Sequence, residues 1–176
     1  RSAWAPAIRP VLAYVPPVRW LALKLLARRQ PAEVSIDGLA FEVHPADFGV
    51  TFEIASTGEY EPITRGACVA SLEAGATFVD IGAHVGLFAV PAAKAVGVEG
   101  RVVCFEPDPD NRRLLERNLA RHELSNVEVV GAAVADHAGF VTLKRSSFNT
   151  GDHRIDPGKS AGGVEVPMVS LDAWIE

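Results

Sequence analysis

Apolar residues in this chain come in short β-branched runs separated by longer stretches of helical spacing. Thr77–Ile81, Arg101–Phe105 and 127–133 read as strands. Between them, 84–96 and Pro109–Arg121 read as helices, the second opened by Asp108 as N-cap with Pro109 at its first position. Leu114, Leu115 and Leu119 of that helix face a core. Pro91 either kinks the first helix or sits where no N–H is needed. Two strand–helix–strand crossovers in succession predict an α/β fold with a parallel sheet and right-handed connections.

The flanks read differently. Residues 1–17 are proline-rich, and 18–30 form a helix carrying Arg19, Lys24, Arg28 and Arg29 with no acid. Packing of its Trp20, Leu23 and Leu26 on the domain is favoured over a membrane-surface role for its basic side. This divides the chain into an N-terminal segment, 1–32, and a main domain, 33–176. Asp37-Gly38 between Glu33–Ile36 and 39–43 predicts a type I′ hairpin laid over or beside the main sheet. A further extended piece is expected at 48–54, and a helix at 62–73 with proline in its first turn. Beyond the third strand come a turn at 136–139, a strand at 140–144, a mobile loop at 145–163, a strand at 164–169 and a helix opening at Ser170-Leu171.

Chemistry enters at the end of the first strand, where Asp80-x-Gly82-x-x-x-Gly86 leads into a helix. The glycines let a ligand approach the backbone, and the free N–H groups of the helix point into the same space. A dinucleotide site would have glycine where Asp80 stands. A carboxylate there repels phosphate and attracts a cation, which favours S-adenosylmethionine, a nucleoside with positive charge on its sulfonium and amino groups. Glu106 ends the second strand 106 − 86 = 20 residues after Gly86, near the spacing of an acid that binds ribose hydroxyls. The plainer readings are a strand–helix turn with a solvated aspartate and a solvated strand-end acid; the combination of Asp80, the glycines and Glu106 outweighs them. Glu59 and Glu61 either reach the cofactor's charged end or serve as acids at a helix N-terminus.

The totals narrow the field. The 176 residues suffice for one domain and an appendage, with 48% hydrophobic and 22% charged residues, and the net charge of −5 argues against a general nucleic-acid partner. Cys68 and Cys104 have no metal-ligand spacing with a histidine, and Cys104 lies in an apolar strand. Reduced cysteines suit a cytoplasmic setting. No apolar run reaches the length of a membrane span.

The ordered motifs G-E-Y-E-P, F-V-D-I-G-A-H-V-G-L-F, G-R-V-V-C-F-E-P-D-P-D-N, L-S-N-V-E-V-V-G-A-A-V-A-D and V-P-M-V-S-L-D resemble the FkbM-type S-adenosylmethionine-dependent methyltransferases, from about Glu59 onward. The resemblance implies a Rossmann-like class I methyltransferase sheet. It also implies methyl transfer to a hydroxyl oxygen of a small molecule, a sugar or a lipid-linked intermediate. It places Asp80, Gly82, His84 and Gly86 around the methionine end, Glu106 at the ribose and Pro107 beside the adenine. Asp136 would approach the adenine amino group, and Glu61 corresponds to an upstream glutamate near the cofactor. His84 stands where the family usually has asparagine. The family continues past the position of Glu176 into a fourth parallel strand, so the domain is expected to be truncated. His84, Asp152 and His153 are candidate general bases for an acceptor hydroxyl. Two rivals remain: a non-catalytic nucleoside- or protein-binding module of the same fold, and a nucleotide-dependent oxidoreductase, which Asp80 opposes. Self-association stays open.

Overall fold

A computed structural model of the chain describes residues 30–45, 47–146, 149–156 and 163–175. Apart from Gln30, the proline-rich start and the basic helix expected at 18–30 lie outside those residues. The described residues group into two units, one within Arg1–Tyr60 together with Asn149, the other within Glu61–Ser146 and Thr150–Glu176.

In the first unit, β1 (Glu33–Ile36) and β2 (Leu39–Glu42) form the expected antiparallel hairpin, with Ile36 opposite Leu39. Asp37 and Gly38 have φ of +51° and +78°, the two left-handed residues of a type I′ turn. Val34, Ile36 and Phe41 are buried, as period-two alternation requires. The extended piece expected at 48–54 is instead helix α1 (Val50–Thr57). Its cause is Asp47, a buried aspartate whose two carboxylate oxygens accept the N–H groups of Gly49 and Thr51 at 3.0 and 2.9 Å. Those bonds satisfy donors that the start of a helix leaves open and outweigh the β-branched composition. Val50, Thr51 and Ile54 form the buried side of α1, which packs on β1.

The second unit begins with α2 (Pro62–Ala70), which ends short of the expected Glu73. The parallel sheet follows, in the order β3 (Thr77–Ile81), β4 (Arg101–Phe105), β5 (Val127–Val130). The middle strand β4 is buried from Val102 to Phe105, which accounts for its unbroken apolar run. Asp80 pairs with Cys104 and Ile81 with Phe105. Helix α3 (Ala89–Val96) links β3 to β4, and α4 (Pro109–Arg121) links β4 to β5. The helix expected from His84 starts five residues later, because His84 and Gly86 have φ of +51° and +94°, which no α-helix accommodates. Pro91 is therefore the third helical residue, where its missing N–H has no partner to lose.

The strand expected at 127–133 is two strands. The chain leaves the parallel sheet after Val130, and β6 (Ala133–Ala135) joins a separate four-stranded sheet of order β6–β9–β7–β8. In that sheet β9 (Val164–Ser170) runs parallel to β6 and antiparallel to β7 (Gly139–Lys144). Part of the loop expected at 145–163 is a short strand, β8 (Arg154–Asp156), paired with β7. A three-residue strand has too few alternations to register as a pattern. Ala133, Leu143 and Val166 form the core of this sheet, and α5 (Leu171–Ile175) follows β9 directly. No helix among the described residues is long and apolar enough to cross a membrane.

If Asp47 is what converts 50–57 from strand to helix, Asp47→Ala will lower stability by about 1–2 kcal/mol. Loss of far-UV helical signal before global unfolding in a urea titration checks this.

Candidate active site at the end of the parallel sheet

At the end of β3 the backbone turns at once. Gly82 has φ +84°, and its N–H and that of Ala83 both donate to the Phe105 carbonyl, at 2.8 and 3.1 Å. The loop thus stays attached to β4 beyond the last paired residue. A Cβ on Gly86 would lie 2.8 Å from Leu115 Cδ1, so close approach to α4 as well as positive φ demands glycine there. Asn118 of α4 donates its side-chain N–H to the Val85 carbonyl at 2.8 Å, and Arg65 Nε donates to the Leu87 carbonyl at 3.2 Å. Arg65 is the buried residue of α2. The loop therefore has side-chain donors on two helices as well as its own turn bonds.

Glu106, 4% exposed, is the central tie. Its Oε2 accepts the His84 N–H and its Oε1 accepts the Asp108 N–H, each at 2.8 Å. The Asn111 side chain donates to it as well. Burial pushes its pKa up; the N–H groups of Asp108 and His84 and the Asn111 amide oppose that, while the Asp108 charge adds to it. A carboxylate offers about four lone-pair positions, so these three donors leave capacity for a ligand hydroxyl.

Asp80 is a contrast. Its carboxylate accepts the N–H of Ala89, the first residue of α3, but Oδ2 is buried with no hydrogen-bond partner among the described residues. Burial raises its pKa from 3.8 to about 6, and the Ala89 bond offsets only part of that. A buried carboxylate oxygen without a donor is costly, and a cationic group placed against it removes the cost. The Cys104 thiol across the pairing is pushed far up by burial and then by the Asp80 charge, which makes it an inert core thiol.

The turn after Glu106 is equally fixed. Pro107 is half-buried, and Asp108, 1% exposed, caps α4 by accepting the N–H groups of Asp110 and Asn111 at 2.9 and 3.1 Å. Burial pushes Asp108 up, yet those N–H groups and Arg145 together hold it below the usual range. Arg145 Nε reaches Asp108 Oδ2 at 2.5 Å, and its Nη1 reaches Asp110 Oδ2 at 2.9 Å. His84 Nε2 lies 2.8 Å from Thr150 Oγ1, and the Thr150 carbonyl accepts from Asn111 at 3.3 Å.

Asp80, Gly82, His84, Gly86 and Glu106 thus share one loop and its tie. Glu61 begins α2 with φ +41° and an exposed side chain that caps nothing. Asp136 is exposed at the end of β6, its carboxyl held below the usual range by the hydrogen bond and charge of His137. Neither bonds to the loop among the described residues. Of the three base candidates, His153 accepts the Ser146 N–H through Nδ1 and lies with Nε2 3.7 Å from Asp108. Both Asp152 oxygens accept from Arg154, at 3.0 and 3.2 Å. His84 is the candidate on the glycine loop itself. The sequence reading missed Arg65, Asn111, Asn118 and Thr150. The two asparagines are seven residues apart on the apolar side of α4, a polar interruption that marks them as bonded core residues.

A parallel sheet whose strand ends carry Asp80 and Glu106 on either side of a glycine turn is a Rossmann-like arrangement. Residues 80–176 match the family model described as "Methyltransferase FkbM domain", which is more than half of the chain. The chain belongs to that family. Two curated relatives, from Sulfolobus acidocaldarius and Sulfurisphaera tokodaii, are named "Probable cobalt-precorrin-6B C(15)-methyltransferase (decarboxylating)". Each is 38% identical over 56 residues, which is 32% of this chain and 29% of the relative. The chain thus spans under a third of the curated relatives it matches. Among solved structures, precorrin-6y C5,15-methyltransferase from Geobacter metallireducens is similar at 24% identity and TM-score 0.37, over 40% of this chain and 38% of that one. M. jannaschii TYW2 in complex with AdoMet is similar at 20% identity and TM-score 0.43, over 56% and 41%.

Two measurements test this geometry. Gly86→Ala will cost about 1–3 kcal/mol, from strained φ and the Leu115 clash, read as a shift in urea midpoint. The second concerns Asp80, whose raised folded-state pKa means that the folded chain binds its proton more tightly than the unfolded chain. Its contribution to stability is full below 3.8 and is lost as pH rises through about 6. Asp80→Asn will therefore melt higher than the wild type near pH 8, with the gap closing near pH 4.

Proposed function

We propose that this chain forms the nucleoside-binding part of an S-adenosylmethionine-dependent methyltransferase that acts on a hydroxyl oxygen of a small molecule, sugar or lipid-linked acceptor. The carrying observation is the buried Asp80 Oδ2 beside the glycine turn, an oxygen with no hydrogen-bond partner among the described residues. That atom suits a ligand with positive charge and disfavours a pyrophosphate.

Asp80 would hold the charged methionine end, the 82–86 backbone would accept close approach of the ligand, and Glu106 would take a ribose hydroxyl with its remaining lone-pair position. Pro107, with Asp136 from the neighbouring segment, would border the adenine, and Glu61 would approach the charged end from α2. When bound, S-adenosylmethionine supplies a methyl group activated by its sulfonium. The chain's own part is alignment and exclusion of water, which the rigid ties of the loop favour. His84 would accept the acceptor proton, provided its ring leaves Thr150.

Calorimetric titration with S-adenosylhomocysteine and with NAD tests the reading. Heat is expected with the first and none with the second. Asp80→Asn will weaken S-adenosylhomocysteine binding about tenfold near pH 7.5, and the wild type will lose affinity below about pH 6 as Asp80 takes up its proton. NAD binding, or equal affinity in the variant, overturns the assignment.

A further inference from the structure

The second sheet carries a polar recess that the nucleoside reading does not use. It is lined by Lys144, Arg145, Ser146, Asp152 and Arg154, with Asp108 and Asp110 paired to Arg145. Lys144 and Arg154 are direct cross-strand partners in the β7–β8 register. Like charges placed opposite each other destabilise a strand pair; Asp152 offsets the Arg154 charge, and the Lys144 charge has no such partner among the described residues.

The recess is also organised. Asp108 and Asp110 bind Arg145 through Nε and Nη1, leaving Nη2 outside those bonds. Asp152 binds Arg154 through Nε and Nη2, leaving Nη1 outside them. Lys144 is exposed and has no acid partner among the described residues. Acids therefore fix two guanidinium groups in place, while the ammonium and the outer guanidinium N–H groups remain as donors. Planar guanidinium beside ammonium suits a phosphate, which accepts from both.

Resting on the functional reading above, we infer that this recess binds a phosphate monoester carried by the methyl acceptor. The nucleoside has no phosphate, and its one carboxylate belongs to the methionine end that the reading above assigns to Asp80 and the 82–86 turn, so the recess is assigned to the acceptor. Through Asp108, Arg145 fastens the recess to the first turn of α4, immediately after Glu106 and Pro107. A phosphate held there puts the rest of the acceptor beside the strand ends where the nucleoside lies. The acceptor class is thereby narrowed to small phosphorylated molecules, sugar phosphates among them.

The test is calorimetry on the full chain with inorganic phosphate, glucose 1-phosphate, glucose, a short RNA and S-adenosylhomocysteine, for wild type, Lys144→Ala and Lys144→Arg. Both phosphates should bind and glucose should not. Lys144→Ala should weaken both at least about fivefold, and Lys144→Arg should restore most of the loss. Inorganic phosphate binding alone, without glucose 1-phosphate, would assign the recess to a free anion and overturn the acceptor role. No heat with either phosphate, or equal affinity in Lys144→Ala, overturns the site. Lys144-dependent binding of a short RNA more tightly than glucose 1-phosphate replaces the small-molecule class. S-adenosylhomocysteine affinity should be the same in all three proteins, so failure of the nucleoside reading would appear separately, as loss of that binding in the wild type.

Discussion

The Glu106 carboxylate joins the two turns on which the site depends. One oxygen holds the glycine loop through the His84 N–H and the other holds the turn into α4 through the Asp108 N–H. Both turns follow strands of one parallel sheet, so a single buried charge fixes the distance between the two strand ends. Hydrogen bonds to a charged acceptor are stronger than neutral ones, and their burial raises the cost of leaving any of them unmade. The neighbouring ties, from Asn118 to Val85 and from Arg65 to Leu87, support the same loop farther along.

Against that well-bonded acid, Asp80 has one oxygen without a hydrogen-bond partner among the described residues. The two carboxylates differ in surroundings more than in chemistry. Among the described residues Glu106 has three donors, and Asp80 has one backbone donor at the start of α3. A protein tolerates such an imbalance where something outside the chain resolves it. The family membership and the charge of the proposed nucleoside agree on what that is.

Much of this was legible in the sequence. The three parallel strands, the Asp108 cap, the Asp37-Gly38 turn and the spacing from Gly86 to Glu106 each rest on a local rule, and local rules can be read from residues. The errors came where a distant or cryptic partner decided the outcome. Asp47 caps from outside its helix, at a position the β-branched run Val50-Thr51 obscured. The break after Val130 depends on pairing between Ala133 and Met168, which no short window contains. The left-handed His84 looked helical because an apolar stretch follows it. Its conformation comes from the loop's attachment to Phe105 and Glu106. The assignment to Asp136 rests on resemblance and that to Glu61 on resemblance and its place before α2; the Glu61 side chain is exposed and Asp136 pairs with His137.

The chain steps from one sheet to another between Val130 and Ala133. The glycine turn therefore shares no strand pairing with the β7–β8 hairpin. Hairpins tolerate changes of length and tip composition without loss of their supporting sheet. Evolution can then alter the hairpin while the sheet that carries the glycine turn keeps its register, a separation written into the hydrogen-bond ladder.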